Sequence, residues 1–282
     1  MDIRPPGKRL VRTQSMLFTL MGDYIRYHKD KFPAVVIIKM MKELGYSESS
    51  VRSALSRLCQ NNWLKNEHEG RKSYYWLTKQ SEVLLEQGYR RIFHLQQIGQ
   101  WDGIWYIVNL SIPEKHRNLR VQLRKELTWN GFGTLAHGCL ISPYDSFNEV
   151  DSIVNRLQAN EYVHFFKANY QGFLSHMELV MRCWELEKIN DSYKTFLSQY
   201  EKRYHQKKKQ LESKSYINVV EYFVERVNLI HGYRRFPFQD PGLPPELLPK
   251  EWLGFKVAAL LKEYHQFLQG PADKFVDSLF EK

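Results

Sequence analysis

The sequence is poor in cysteine and contains no long apolar run. Its three cysteines, Cys59, Cys139 and Cys183, are far apart and form no CxxC pair, which argues against a zinc site or a disulfide framework. Reduced thiols are the simpler interpretation, so we expect a cytoplasmic protein. The longest apolar run, residues 34–38, is too short to cross a bilayer, and the first six residues contain no stretch typical of a secretion signal. We therefore expect no membrane partner.

Acidic residues are also too few to balance the basic ones. The chain has 41 Lys and Arg against 31 Asp and Glu, a formal net charge of +10. Residues 1–100 hold 17 Lys and Arg against 9 Asp and Glu, so +8 of this excess lies on the first 100 of 282 residues. A concentration of positive charge favours a polyanionic partner.

A chain of 282 residues is long enough for two or three domains with separate cores. Differences in predicted helix and strand content divide it into three regions of an α+β fold. Residues 1–98 are mostly helical with one hairpin and end in a connecting helix over residues 78–97. Residues 99–172 alternate strands with helices. Residues 173–282 are mainly helical, with predicted helices at 175–209, 215–231 and 253–268 and a proline-rich loop at 237–249.

The first region predicts two helices, a tight turn, a third helix and a hairpin. Pro33 begins the second helix and Gly45 ends it, while Ser47 caps a third helix that runs to about Asn61. Two short strands then flank a turn at Glu67–Gly70. The first helix, residues 12–28, buries a stripe made of Met16, Leu17, Leu20, Tyr24 and Tyr27. This order of elements predicts a winged helix-turn-helix.

The third helix separates its residues into two faces. One is aliphatic, with Val51, Ala54, Leu55 and Leu58. The other is small, hydroxyl-bearing and cationic, which suits a helix in the DNA major groove, because serines allow close approach and arginines donate two hydrogen bonds to guanine. The predicted DNA-binding residues are Ser47, Ser49, Ser50, Arg52, Ser53, Ser56, Arg57, Lys65, Arg71, Lys72 and Tyr74. For the third helix, the alternative is an ordinary amphipathic helix with a solvated face, and for the hairpin it is a solvated β-turn. Lys8, Arg9 and Arg12 form a basic arm that is a further candidate for contact with the DNA backbone, and its alternative is a disordered tail.

The middle region has the order β-α-β-(β)-α-β of a ferredoxin-like sandwich, with one strand at 134–137 inferred from the pattern alone. Its candidates for catalysis are weak. Gly131-x-Gly133 follows a helix and lacks the rest of a dinucleotide fingerprint. His137 and Cys139 have no obvious orienting acid, and no paired carboxylates are present. We expect no enzyme activity, no cofactor and no metal.

Three stretches of the sequence form a distinctive series. They are Ser49–Leu58 with Trp63-Leu64; Trp101-Asp102-Gly103-x-Trp105 with Ser111-Ile112-Pro113-Glu114 and Leu127-x-Trp129-x-Gly131-Phe132-Gly133; and Tyr233-Arg234-Arg235-Phe236 with Asp240-Pro241-x-Leu243-Pro244, Leu247-Leu248-Pro249 and Trp252-x-Gly254. Because all three occur in this order and at these distances, the whole chain resembles the PaaX-type repressors of bacterial phenylacetate catabolism.

The resemblance implies a repressor that binds double-stranded operator DNA as a homodimer and is released by phenylacetyl-CoA or a related aryl-acyl-CoA. It also implies that the middle domain is Cas2-like, and a metal-dependent Cas2-like nuclease is the alternative function. Such nucleases are expected to carry an acid near the end of the first strand. Here that stretch reads Val108-Asn109-Leu110-Ser111, without an acid, which argues against cleavage. An activator, a repressor of a different aromatic pathway and a non-specific architectural DNA binder also stay open as alternatives.

A CoA-thioester effector needs cations for its phosphates and an apolar slot for its aryl group. The residues around the proline-rich loop offer both, and we take Tyr233, Arg234, Arg235 and Trp252 as candidate effector-binding residues. Two alternatives stay open: the loop is a rigid connector whose aromatics pack in the core, or the pocket lies between the middle and C-terminal domains.

Overall fold

The computed structural model describes residues 8–27, 31–94, 100–213 and 217–280. They form two compact units. The first unit contains the described residues of Met1–His94, Phe196–Arg234 and Lys256–Lys282, and the second contains those of Leu95–Thr195 and Arg235–Phe255. The C-terminal region therefore contributes to both units. The three-domain division made from the sequence stays a prediction, and its first boundary lies outside the described residues.

Helices and strands are mixed, and the C-terminal region is helical, as predicted. The helices are α1 (Lys8–Asp23), α2 (Ala34–Glu43), α3 (Glu48–Gln60), α4 (Lys79–His94), α5 (Arg117–Trp129), α6 (Phe147–Arg156), α7 (His176–Cys183), α8 (Leu186–Glu212), α9 (Val219–Tyr233) and α10 (Gly254–Ser278). The strands are β1 (Phe32–Pro33), β2 (Leu64–Glu69), β3 (Lys72–Leu77), β4 (Trp105–Leu110), β5 (Gly133–Ala136), β6 (Cys139–Ser142) and β7 (Val163–Ala168).

The first unit opens with three helices that share one core. The apolar stripes of α1, α2 and α3 are buried together, along with Phe223 and Val227 of α9 and Phe275 of α10. The prediction that Tyr27 belongs to the apolar stripe of α1 is wrong. The helix ends at Asp23, so Tyr27 falls in a short 3-10 turn and its side chain is 59% exposed.

The hairpin after α3 is longer than predicted. Its two strands form six residue pairs, from Leu64 opposite Leu77 to Glu69 opposite Lys72. The predicted turn at Glu67–Gly70 is wrong, because Glu67 and Glu69 belong to β2 and only Gly70 and Arg71 form the turn. Gly70 has φ of +60°, a conformation that glycine adopts without a side-chain clash. A third strand that the pattern did not predict, β1, pairs with the far side of β3.

The second unit contains a four-stranded antiparallel sheet in the order β5-β6-β4-β7. With α5 after β4 and α6 after β6, the chain follows the predicted β-α-β-β-α-β path. The inferred strand exists as β5. A hydrophobic core lies between one face of the sheet and helices α5 and α6, and it includes the fully buried side chains of Val108, Leu123 and Leu140.

The C-terminal helices differ from the prediction in two places. The single helix expected over residues 175–209 is two helices, α7 and α8, because the chain extends at Trp184 (φ −130°, ψ 146°). Helix α10 runs to Ser278 rather than 268 and contains Pro271. Ala272, Phe275 and Val276, beyond that proline, are buried, so their burial stabilises the continued helix.

Candidate nucleic-acid interface

Helix α3 is anchored by its aliphatic face. Val51, Ala54, Leu55 and Leu58 are each at most 1% exposed and lie in the core of the first unit. Burying such side chains contributes roughly 1.5–3 kcal/mol each for the larger ones. The predicted inward face of α3 is therefore confirmed.

The opposite face of α3 is open to solvent. Ser49, Arg52, Ser53 and Ser56 are exposed, and Arg57 is half-buried. At the start of the helix, the Ser47 hydroxyl oxygen accepts a hydrogen bond from the Ser50 N–H (3.4 Å), and the Ser47 hydroxyl donates one to the Ser50 hydroxyl oxygen (2.9 Å). This side of the helix is therefore accessible to a large ligand along its length.

The arginines on this face differ in their partners. Arg52 pairs with Glu48, one turn earlier, at 2.7 Å, and both side chains are more than half exposed. Exposed pairs of this kind contribute about 0.3–0.5 kcal/mol, so Arg52 can exchange Glu48 for another acceptor at little cost. Within the described part of the chain, the Arg57 side chain makes no hydrogen bond or ion pair. Both guanidinium groups are available to a ligand.

The hairpin presents charge of both signs on one face. Side chains alternate across a strand, so Lys65, Lys72 and Tyr74 share their face with two acids, Glu67 and Glu69. No pattern in the sequence indicates what offsets the charge of these acids. The ammonium group of Lys31 pairs with Glu67, lies 3.7 Å from Glu69, and stands 5.4 Å from the ring centre of Trp76.

The tip of the hairpin is its most accessible cationic part. Arg71 and Lys72 are exposed at the turn, Lys65 is exposed nearer the base, and Tyr74 is half-buried. The basic arm at Lys8, Arg9 and Arg12 cannot be added to this surface, because those side chains lie outside the described residues.

The four candidate effector-binding residues are divided between the units. Tyr233 and Arg234 belong to the first unit, and Arg235 and Trp252 to the second. Tyr233 is buried and meets Phe196 edge-on, and Trp252 is buried and meets Tyr193 edge-on, with ring centres 5.9 and 5.5 Å apart.

The two arginines of this group have different surroundings. Arg235 is exposed, with its guanidinium 5.2 Å from the Phe236 ring centre. Arg234 donates a hydrogen bond to the Ser15 hydroxyl, and its burial lowers its pKa to about 10. One turn earlier, the His231 ring contacts the Thr19 hydroxyl (2.8 Å), and burial, with the charge of Arg234, lowers the pKa of His231 to about 4.

Three family models match successive parts of the chain. The model described as PaaX-like protein matches residues 12–81, the PaaX protein central Cas2-like domain matches residues 99–180, and the PaaX-like protein C-terminal domain matches residues 184–278. The chain belongs to the PaaX family.

Two known proteins are similar to this PaaX-family chain over most of its length. It is 29% identical over 265 residues to Transcriptional repressor PaaX of Escherichia coli (strain K12), which covers 93% of this chain and 82% of the relative. Uncharacterized protein Rv0674 from Mycobacterium tuberculosis has a similar structure, with a TM-score of 0.60 and 19% identity over 92% of this chain and 95% of that chain. The second likeness concerns the fold alone.

The weak catalytic candidates of the central Cas2-like domain lie in and around its sheet. His137 lies in the turn between β5 and β6, and burial raises the pKa of the Cys139 thiol, which disfavours the nucleophilic thiolate. Asn109, where an acid is expected, donates a hydrogen bond to Ser111 (3.4 Å). Among the described residues, no group of three or more His, Cys, Asp or Glu is placed to hold a metal ion.

None of the described helices combines the length and the apolar character that crossing a bilayer needs.

Proposed function

We propose that this PaaX-family chain is a DNA-binding transcriptional repressor whose first 98 residues act as a winged helix-turn-helix. One observation carries the proposal: α3 has a fully buried aliphatic side and an accessible side made of serines and arginines. The name of the E. coli relative supplies the direction of regulation, repression.

In this proposal α3 enters the major groove of double-stranded operator DNA. Arg52 and Arg57 donate paired hydrogen bonds to guanine O6 and N7, and the serines approach base edges and phosphates closely. The hairpin tip, Arg71 and Lys72, contacts the backbone beside the groove. Lys31 keeps the acids of the hairpin from repelling phosphates, since it pairs with both.

We further propose that the repressor acts as a homodimer. A two-fold symmetric protein reads two half-sites about one helical turn apart, or a multiple of it, so the operator is pseudo-palindromic. Sedimentation of the protein–DNA complex measures the stoichiometry, and one chain per operator would contradict this part of the proposal.

The test is a pair of substitutions on α3. Arg52→Ala with Arg57→Ala removes both base-reading side chains without touching the buried face. We expect a loss of operator affinity of about 10- to 100-fold for each bidentate contact with guanine. The probe is the DNA upstream of the protein's own gene, titrated at fixed salt against a shuffled duplex of equal length.

A matched control separates DNA contact from surface charge. Arg90 on α4 pairs with Glu86 one turn earlier at 2.9 Å, in the same arrangement as Arg52 and Glu48. Arg90→Ala therefore removes an equivalent exposed ion pair away from α3, and operator affinity should stay unchanged. Normal operator binding by the folded α3 double variant would refute the assignment of α3.

We propose that the repressed genes serve phenylacetate catabolism and that phenylacetyl-CoA or another aryl-acyl-CoA releases the operator. The chemistry of Tyr233, Arg234, Arg235 and Trp252 suits such an effector, although Tyr233 and Trp252 also contribute to buried aromatic contacts. Arg235 is the most informative position, because it is exposed and its loss leaves the core intact.

The effector proposal is tested by adding aryl-acyl-CoA thioesters singly to the protein–operator complex, with free CoA and acetyl-CoA as controls. We expect release by an aryl thioester and a higher effector concentration for release after Arg235→Ala. Retention of the complex with every thioester would contradict the effector while leaving DNA binding in place.

A further inference from the structure

Two arginines at α9 contact α1 in different ways: Arg226 is buried within the helix, and Arg234 is half-buried and caps its C-terminal end. Arg226 donates two hydrogen bonds to Asp23, at 2.9 and 3.1 Å, and lies 3.8 Å from Asp273. Arg234, at the end of the same helix, meets Ser15 of α1 instead. Helix α1 thus offers a carboxylate to one arginine and a neutral hydroxyl to the other.

Arg234 has no negative partner in the part of the chain whose side chains are described. It forms no ion pair there, and the side chain of Tyr46 lies close enough to influence its charge. Buried charges in proteins are generally paired, because removing a cation from water without an anion is costly. The lowered pKa of Arg234 agrees with this cost, since burial is its main cause.

The surroundings of Arg234 are suited to an anion with several acceptor oxygens. Ser15, Tyr46 and Arg234 are all half-buried residues, so the group is partly open to solvent. Tyr46 directly precedes Ser47, the residue that caps α3. A guanidinium with adjacent hydroxyl donors is a common arrangement for holding phosphate.

We propose that Arg234, with the hydroxyls of Ser15 and Tyr46, binds a phosphate group beside the start of α3. The site rests on the proposed DNA-binding function for its biological role, but its anion chemistry is independent of that role. A phosphate reaches it from one of two sources: the DNA backbone next to the recognition helix, or the phosphates of a CoA effector.

The first experiment uses inorganic phosphate and thermal unfolding of the full chain. At constant ionic strength, replacing chloride by phosphate should raise the Tm of the wild type by roughly 3 °C at ten times the dissociation constant. Arg234→Met should abolish this rise. Arg90→Met, which changes an exposed arginine of α4 in the same unit, should keep it.

Stability without phosphate separates a binding residue from a structural one. Removing an unpaired, desolvated cation should leave the Tm of Arg234→Met equal to that of the wild type or above it. Arg226→Met should lower the Tm, since it leaves Asp23 buried with His265 alone. A drop for Arg234→Met as large as that for Arg226→Met would overturn the proposal, as would an undiminished response to phosphate.

The second experiment identifies the source of the phosphate. If DNA supplies it, Arg234→Met weakens operator and shuffled duplex by the same factor, about tenfold, and reduces the salt slope by about 1. If the effector supplies it, DNA affinity is unchanged and release needs about tenfold more aryl-acyl-CoA. Either result supports the site. A phosphate response with neither effect marks an adventitious ion only, and overturns it.

The outcomes also separate this site from the function on which it rests. If the α3 double variant bound operator normally, the recognition-helix assignment would fail. The phosphate response of Arg234→Met, together with its effect on DNA or effector affinity, would still decide whether the anion site exists.

Discussion

The buried ion pair between α1 and α9 makes a quantitative prediction about stability. Asp23 and Arg226 have side chains that are 5% and 6% exposed, and the His265 ring is 2.8 Å from the second oxygen of Asp23. Burial alone would raise the pKa of Asp23, but the hydrogen bonds and charges of His265 and Arg226 outweigh it and lower the pKa to about 2. We expect Asp23→Asn to destabilise the first unit.

The size of the effect follows from two arguments. A pKa lowered from 3.8 to about 2 corresponds to roughly 2 kcal/mol of stability at neutral pH. Leaving Arg226 buried with its second anion, Asp273, at 3.8 Å costs about 3–5 kcal/mol by analogy with broken buried pairs. The expected loss is therefore about 2–5 kcal/mol, a large part of the stability of a typical domain.

The pH dependence has a definite sign. The folded pKa of Asp23 lies below its unfolded value, so its contribution is complete above about pH 4 and is lost as the pH falls toward 2. The difference in unfolding free energy between the wild type and Asp23→Asn should shrink over that interval. Denaturant titrations at several pH values measure it, and hydrogen exchange of α1 and α9 shows where the loss occurs.

The control is Asp277→Asn on α10, which changes an exposed carboxyl of the same unit and should shift the unfolding free energy by less than about 0.5 kcal/mol. Equal stability of the wild type and Asp23→Asn at pH 7 would refute the reasoning. So would a difference that stays constant down to pH 2.

Two further changes test the packing of each unit. Leu58→Ala removes a side chain that is 1% exposed beneath α3 and should cost about 2–5 kcal/mol in denaturant titration, and a smaller loss would mean that α3 is loosely anchored. Gly133→Ala would place a methyl carbon 2.5 Å from the Trp184 ring and should lower the free energy of unfolding by about 1–3 kcal/mol. Its control, Gly88→Ala, lies in open space on α4 and should be neutral or slightly stabilising. Equal effects of the two substitutions would contradict the close contact.

Local signals predicted α3 well. Its cap, its four-residue core stripe and its accessible face all follow from a short stretch of sequence, because periodicity and capping act within a few residues. Strand β1 had no such signal. It has only two residues, Phe32 and Pro33, and it exists because they pair with Tyr75 and Tyr74, some forty residues away.

Tertiary contacts also explain the errors among the C-terminal helices. The break between α7 and α8 follows from the docking of Trp184, whose indole N–H donates to the Gly131 carbonyl (3.1 Å) while its ring lies against Gly133. Nothing in the residues around Trp184 signals this distant contact. The helix predicted to end at residue 268 continues through Pro271 to Ser278, because the buried residues after that proline stabilise it.

The proposed interface was predictable in part. The residues of α3 and the hairpin tip are accessible, as their patterns indicated. The role of Lys31 was not predictable, because it depends on where β1 brings that residue relative to Glu67 and Glu69. Tyr233 and Trp252 suited a ligand by chemistry, yet the same aromatic character places them in buried ring contacts.

The two-residue turn at Gly70 and Arg71 restricts how this protein's relatives can vary. With every residue of β2 and β3 paired up to the turn, one inserted residue would move Lys72 and Tyr74 onto the face now held by Ser73 and Tyr75. Changes in hairpin length should therefore come two residues at a time, one on each strand, or together with a different type of turn. Each added pair would carry the tip about 3.3 Å further from the base of the hairpin.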